Sequence, residues 1–192
     1  MGAIRIEDSR LSFVDEAAAR HIELASLDLT TDEVVPGEPL TDTAISGVLH
    51  VAGFARHGVP FALRVPKLDA PADFSAVQVE EFEISFGGLE AEGAIRGTLG
   101  DHPRLEGSLE TNAFDPRALL TALGIAAPAT TDPEALGKLQ LAGGWKFEDG
   151  AVAIDPFTLL LDDTRLAGNV RMAAGAGPGE FSLRGGRVDV AR

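Results

Sequence analysis

At 192 residues and 45% hydrophobic content, with a mean hydropathy of +0.10, the chain can build one domain or one piece of a larger β architecture and bury a sizeable core. Sixteen basic residues against thirty acidic ones give a formal charge of −14 and a pI near 4.6, which argues against electrostatic binding of nucleic acid or of an anionic membrane surface. There is no cysteine, so disulfides and thiolate zinc sites are excluded, and no stretch reaches the ~18 apolar residues of a membrane span.

The acid excess falls mainly in the first hundred residues and reads as a solvated polar face. The lack of cysteine suits an oxidising compartment such as the periplasm without fixing it. No signal peptide is visible, because Met1 leads at once into the strand-like Ala3-Ile4-Arg5-Ile6, and Ile6 stands where a myristoylation signal needs Ser or Thr. The chain opens in a strand and closes in one (Gly186-Arg187-Val188-Asp189-Val190), so it is expected to be excised from a longer protein.

In chain order the pattern is β almost throughout. Strands are predicted over residues 3–7, 10–14, 20–30, 43–54, 59–68, 74–86, 88–99, 104–113, 138–148, 150–161, 164–173 and 180–190. Turn signals separate them at Asp8-Ser9, Pro36 to Pro39, His57-Gly58, Pro71 to Asp73, Gly87-Gly88, Gly100 to Pro103, Asp149-Gly150, Asp162 to Thr164 and Gly175 to Gly179. Successive hairpins imply an antiparallel meander. Leu89, Ala91, Gly93, Ile95, Gly97 and Leu99 alternate with polar neighbours, as do Leu105, Gly107 and Leu109, and Leu139 to Phe147. A period of two sends one set of side chains to each face.

Three strands change phase midway. Ile22 and Leu24 are out of step with Leu27 and Leu29, Val77 and Val79 with Phe82, Ile84 and Phe86, and Phe61, Leu63 and Val65 with Leu68 after Pro66. A bulge in each restores a common face; the alternative is partial burial of both faces.

Residues 114–137 break the pattern. Asp115 is a good N-cap, Pro116 suits the first helical position and Gly124 the left-handed C-terminal cap, so a short helix over 115–123 is predicted, with Leu119, Leu120 and Leu123 as its apolar stripe. Thr131-Asp132-Pro133-Glu134 reads as a capping box, with Ala135 and Leu136 completing one helical turn. The organisation expected is a β meander over 1–113, a helical insert over 114–137 and strands over 138–192 continuing the same sheet.

The apolar face needs a cover. Ten large side chains left in water would forfeit roughly 15–30 kcal/mol gross, more than a typical net stability. A helix of ~14 Å spans about three strands at ~4.8 Å each and cannot lid twelve. The sheet therefore closes on itself as a barrel, pairs with another sheet as a sandwich, or curls into an open trough, a taco-like half-barrel that holds something greasy. In the trough, the expected lining is Ile84, Phe86, Ile95, Leu99, Leu109, Leu141 and Trp145, continuing through Phe147, Leu159, Leu161, Leu166, Val170, Phe181 and Leu183. Leu119, Leu120 and Leu123 would plug one end.

No catalytic constellation emerges. His21, His50, His57 and His102 are scattered, Asp162-Asp163 reads as a solvated turn rather than a calcium loop, and the Gly175–Gly179 stretch lacks the Lys-Ser/Thr of a phosphate cradle. No serine sits in a nucleophile elbow, Asp115 and Asp132 read as caps, and a lone Trp145 inside an alternating strand reads as core before it reads as a sugar platform. No enzymatic activity, metal or cofactor is expected.

The stretch Phe114-Asp115-Pro116-Arg117-Ala118-Leu119-Leu120, with Leu123-Gly124, Thr130 to Leu136 and Leu161 to Gly168, resembles the C-terminal region of AsmA family proteins. Ile4 to Asp15 is similar to the family's opening strands, and Phe181-Ser182-Leu183 with Arg187 to Arg192 to its closing pattern. The resemblance implies a Gram-negative envelope protein, anchored in the inner membrane by an N-terminal helix that this chain lacks, with its bulk in the periplasm. Through kinship with TamB and bridge-like lipid transfer proteins it implies an apolar groove that shields phospholipid or other acyl chains and supports outer-membrane biogenesis, with envelope proteins as further partners. Two other readings stand beside it: a closed β scaffold in envelope assembly without a lipid, and a carbohydrate module using Trp145.

Overall fold

The computed structural model describes residues 2–15, 20–35, 37–51, 54–132, 135–173 and 180–185. Among them, eleven strands form one antiparallel sheet in strict chain order. They are β1 (Ala3–Asp15), β2 (Arg20–Glu33), β3 (Leu40–Val51), β4 (Phe54–Asp69), β5 (Ala76–Phe86), β6 (Leu89–Thr98), β7 (Arg104–Thr111), β8 (Leu139–Glu148), β9 (Ala151–Leu161), β10 (Thr164–Ala173) and β11 (Glu180–Gly185), with one helix, α1 (Pro116–Ala122), between β7 and β8. The meander is as expected. No ladder among the described residues joins β1 to β11, so the sheet is curled and not closed into a barrel. The turns at Gly87-Gly88 and Asp149-Gly150 put both central residues at positive φ, the primed geometry whose twist matches the flanking strands.

Two expected turns are not turns. Asp8 and Ser9 lie within β1, where Asp8 (φ +44) bulges out of register and its backbone N–H donates to Asp28 Oδ1 at 2.9 Å. The two short N-terminal strands are therefore one, and the strand count falls from twelve to eleven. Gly58 (φ +76) likewise lies within β4, where the pairing with β3 jumps between Leu49↔Val59 and Val51↔Phe54. In both places the chain uses a turn-like residue to absorb extra length without leaving the sheet.

The phase changes are bulges. The β2–β3 register shifts between Ala25 and Asp28, with Ser26 at φ +46, and the β5–β6 register shifts between Val79 and Phe82. Val65 and Leu68, three residues apart, line the same groove, so β4 flips phase across Pro66. Its pairing with β5 nevertheless keeps one register (Leu63↔Ile84, Leu68↔Val79), because both strands carry an extra residue at the same level.

The curl rests on rows of directly opposed residues in which glycines face large side chains. One row runs Phe82, Gly93, Leu109, Gly143, Phe157, Gly168 from β5 to β10, and the next Val79, Ile95, Gly107, Trp145, Ile154, Val170. Rings lie over the glycines: a Cβ on Gly93 would fall 2.8 Å from Phe82 Cζ, and one on Gly107 would fall 3.0 Å from Trp145 Cε2 and collide with the backbone oxygen of Ala94. Side chains converge on the concave face of a curled sheet, and glycine opposite an aromatic makes the room. A core cluster of buried side chains sits where β4 and β5 meet, around Val65, Val79 and Phe82.

The insert between β7 and β8 loops out of the sheet, since those two strands pair directly. Asp115 caps α1, accepting from Arg117 N at 2.8 Å and Ala118 N at 3.1 Å, with Pro116 in the first turn. Gly124 (φ +72) ends it: Gly124 N–H donates to Thr121 O and Ile125 N–H to Leu120 O, the paired bonds of a Schellman cap. The second helical turn does not form. Leu136 is at φ +60, which no helical residue adopts, and Pro133 and Glu134 of the expected capping box lie outside the described residues, as do the Gly175–Gly179 loop and Gly186 to Val190.

Gly107→Ala is expected to cost about 2–4 kcal/mol in urea unfolding, because its methyl meets fixed backbone and the Trp145 ring. Gly144→Ala, on the neighbouring strand, is expected to be neutral or to stabilise by up to ~1 kcal/mol, since a Cβ there finds only ordinary contacts at 3.6 and 3.7 Å.

Candidate functional site

The concave face encloses a groove of about 790 Å3. Its wall comes from seven consecutive strands: Thr43 and Ile45 of β3; Leu63, Val65 and Leu68 of β4; Val79, Phe82, Ile84 and Phe86 of β5; Leu89, Ala91 and Ile95 of β6; Leu109 of β7; Leu141, Gly143 and Trp145 of β8; and Val152 and Ile154 of β9. The wall surface is carbon almost without exception. Its one hydroxyl, on Thr43, donates to Thr31 Oγ1 at 3.1 Å, and that hydroxyl in turn donates to Thr41 O at 3.2 Å. The Thr111 hydroxyl is held in the same way, accepting from Leu141 N–H at 2.9 Å. The polar groups around the groove are thus occupied by the protein itself.

Of the fourteen residues expected to line a trough, the structure brings Ile84, Phe86, Ile95, Leu109, Leu141 and Trp145 together in this wall. Leu99 does not join them; it follows the end of β6 and is 38% exposed. Phe147 lies one row beyond Trp145, beside Leu105 and Val77 in a separate, mixed hollow. Leu159, Leu161, Leu166 and Val170 are half-buried but do not line the groove: the first two lie further along β9 than Val152 and Ile154, and the other two are on β10, which gives the wall nothing. The side chains of Phe181 and Leu183 lie outside the described residues. The residues not foreseen come mainly from β3 to β5. They carried the same apolar alternation, but their phase changes hid which set faced inward.

Leu119, Leu120 and Leu123 are not part of the wall. They are half-buried beneath α1, which packs against β4 and the β5–β6 turn: Leu119 Cδ1 would meet a Cβ on Gly87 at 3.1 Å. Phe86 and Leu89, on either side of that turn, are groove residues, so the helix stands at one end of the groove as a buttress and does not fill it.

The insert is fastened at its foot. Phe114 and Leu139 exchange backbone hydrogen bonds at 2.9 and 2.8 Å. The Asp162 carboxylate, on the β9–β10 turn, accepts from the backbone N–H groups of Leu136, Gly137 and Lys138 at 2.8, 2.9 and 3.0 Å. These bonds, that from Leu136 foremost, hold its pKa below the usual aspartate value, with the Arg117 charge adding to them. The turn expected to be merely solvated is a clip.

The outer face is polar. Glu106 on β7 bridges Arg96 of β6 and Lys146 of β8 at 2.6 and 3.5 Å, and these partners, chiefly the Arg96 hydrogen bond, lower its pKa. Beside that triad, Glu83, Glu92 and Glu110 stand directly opposite one another across β5, β6 and β7. Among the described residues, no cluster of His, Asp or Glu is arranged to hold a metal ion, and no helix is long and apolar enough to cross a membrane.

Folding lowers the Asp162 pKa, so its contribution is present above the ordinary aspartate value and is lost as pH falls through that value toward the depressed one. Asp162→Asn is expected to reduce hydrogen-exchange protection at Leu136, Gly137 and Lys138 at neutral pH and to flatten the acid side of the melting-temperature profile. Unchanged protection would show that the carboxylate does not hold the insert.

No family model, curated protein or solved structure matches this chain.

Proposed function

We propose that the chain shields the hydrocarbon tails of a lipid in its groove and performs no chemistry on them. One observation carries this reading: a groove of about 790 Å3, walled by seven strands, whose surface is carbon. Its size lies within the ~300–1,000 Å3 of small-ligand sites, but it lacks the few placed polar groups with which such sites orient a polar molecule. A hydrocarbon chain needs none. Each methylene transferred from water gains about 0.8 kcal/mol, so ten give roughly 8 kcal/mol gross, enough to draw an acyl chain into the groove.

The wall presents no acid, base or nucleophile, which supports a carrier or shield over an enzyme. The acidic outer face supports delivery between partners over adsorption to an anionic bilayer. The resemblance to AsmA proteins supports the setting: a periplasmic segment of an inner-membrane-anchored protein that moves phospholipid in outer-membrane biogenesis.

The test is organic extraction of the purified chain followed by mass spectrometry. Co-purified phospholipid or fatty acid is expected, and Ile95→Asp or Ile154→Asp, each placing a charge in the wall, is expected to reduce bound lipid at least ~10-fold while the β-sheet circular dichroism persists. The outer-face change Asn169→Asp should leave lipid content unchanged. A folded protein that carries no lipid and takes up no fluorescent fatty acid would leave the face as the floor of a protein scaffold.

A further inference from the structure

We propose that β1 is a self-pairing edge: two copies of this chain join β1 to β1, antiparallel, about a two-fold axis normal to the sheet. The inference does not rest on the lipid reading. Among the described residues, only β2 pairs with β1. Its thirteen residues leave a free edge of about 44 Å at ~3.4 Å per residue. The apolar face does not taper toward that edge. Ile4, Ile6, Leu11 and Phe13 are 45, 41, 59 and 60% exposed. By register they continue the inward rows, Ile6 through Leu29, Ile45 and Leu63, and Leu11 through Leu24, Leu49 and Val59. A bare apolar edge of this length is a template for another strand.

The sequence of β1 says which strand. It is self-complementary about the point between Asp8 and Ser9. Antiparallel pairing centred there sets Ile4 opposite the second copy's Phe13 and Ile6 opposite its Leu11, all on the inward face. On the outward face it sets Glu7 opposite the second copy's Arg10, and the two-fold axis makes each of these contacts twice. Neighbouring registers fail. Sliding by two residues one way puts Arg5 against Arg10. Sliding by two the other way sets Ile4 against the second copy's Asp15 and Asp8 against its Leu11. A slide by one opposes inward to outward side chains.

The bulge at Asp8 lies at the axis and does not obstruct the pairing. Its N–H is tied inward to Asp28, and β4 and β5 already show two strands carrying extra residues at one level without loss of register. Because the axis is normal to the sheet, both concave faces lie on the same side, and two apolar floors become one.

The chain has no cysteine, so introduced ones report cleanly. Arg5 and the second copy's Ser12 would be directly opposed on the outer face, with Cα atoms ~4.5–5.5 Å apart, within disulfide range. Mixing Arg5→Cys with Ser12→Cys under mild oxidation is expected to give a cross-linked dimer about tenfold more readily than either variant alone. Sedimentation should show a concentration-dependent dimer. Arg10→Glu, which faces Glu7 with a like charge, should weaken it about tenfold, and Glu7→Arg combined with Arg10→Glu should restore it. A monomer at every concentration, or equal cross-linking by one cysteine variant alone, overturns the proposal. Both assays are run on lipid-stripped and lipid-loaded protein, so their outcome stands apart from what the groove holds.

Discussion

Aromatic rings seated over glycines on the next strand hold this sheet in its curl. Phe61 lies against Gly47, Phe82 against Gly93 and Trp145 against Gly107, and each is a directly opposed cross-strand pair. A flat sheet would have room for a Cβ at each glycine; here the neighbouring backbone and ring occupy it. Glycine normally weakens a strand by leaving nothing to pack, and in these rows the ring opposite supplies the contact. The concavity, the groove and the orientation of its wall all follow from that exchange of large for small.

The groove persists because the rings do not seal it. Among the described residues, six apolar side chains are buried (Val59, Val65, Val79, Phe82, Ala91 and Phe157), and of these only Val59 is fully buried. The rest of the concave face is half-covered by its neighbours and by the curl itself. A sandwich would have set a second sheet ~10 Å away and filled the space with side chains. A single ribbon leaves its inner surface to whatever apolar matter it meets. The outer face contributes differently. Its Arg96–Glu106–Lys146 bridge is exposed and worth little alone, but it ties three consecutive strands, whereas the opposed glutamates on β5 to β7 oppose association there.

The meander, the helix and the apolar face were legible because each has a local cause. Hairpin turns need glycines where Gly87, Gly88 and Gly150 stand, a helix needs the cap Asp115 supplies, and period two needs only counting. The wall was half legible. From β6 to β8 the strands keep one phase, and Ile95, Leu109, Leu141 and Trp145 fell where expected. In β2 to β5 the phase breaks at Ser26, Pro66 and Glu80-Glu81 are fixed by pairing with the next strand, information that no single strand carries. The same limit hid the bulge at Asp8, whose turn-like sequence is read correctly only once Asp28 lies beside it. Asp162 looked like one of two acids in a turn, because its three partners sit more than twenty residues away in chain order.

The strict chain order of the strands has an energetic corollary. Strands pack only on their sequence neighbours, and α1 on β4 is the main exception. Such a ribbon behaves as a linear array, its stability a sum of adjoining interfaces and its assembly a zipper able to start at several points. Removing or duplicating a hairpin returns the backbone to the same direction and the same face, so the length of the apolar channel is a quantity that evolution can adjust two strands at a time without redesigning what flanks the cut.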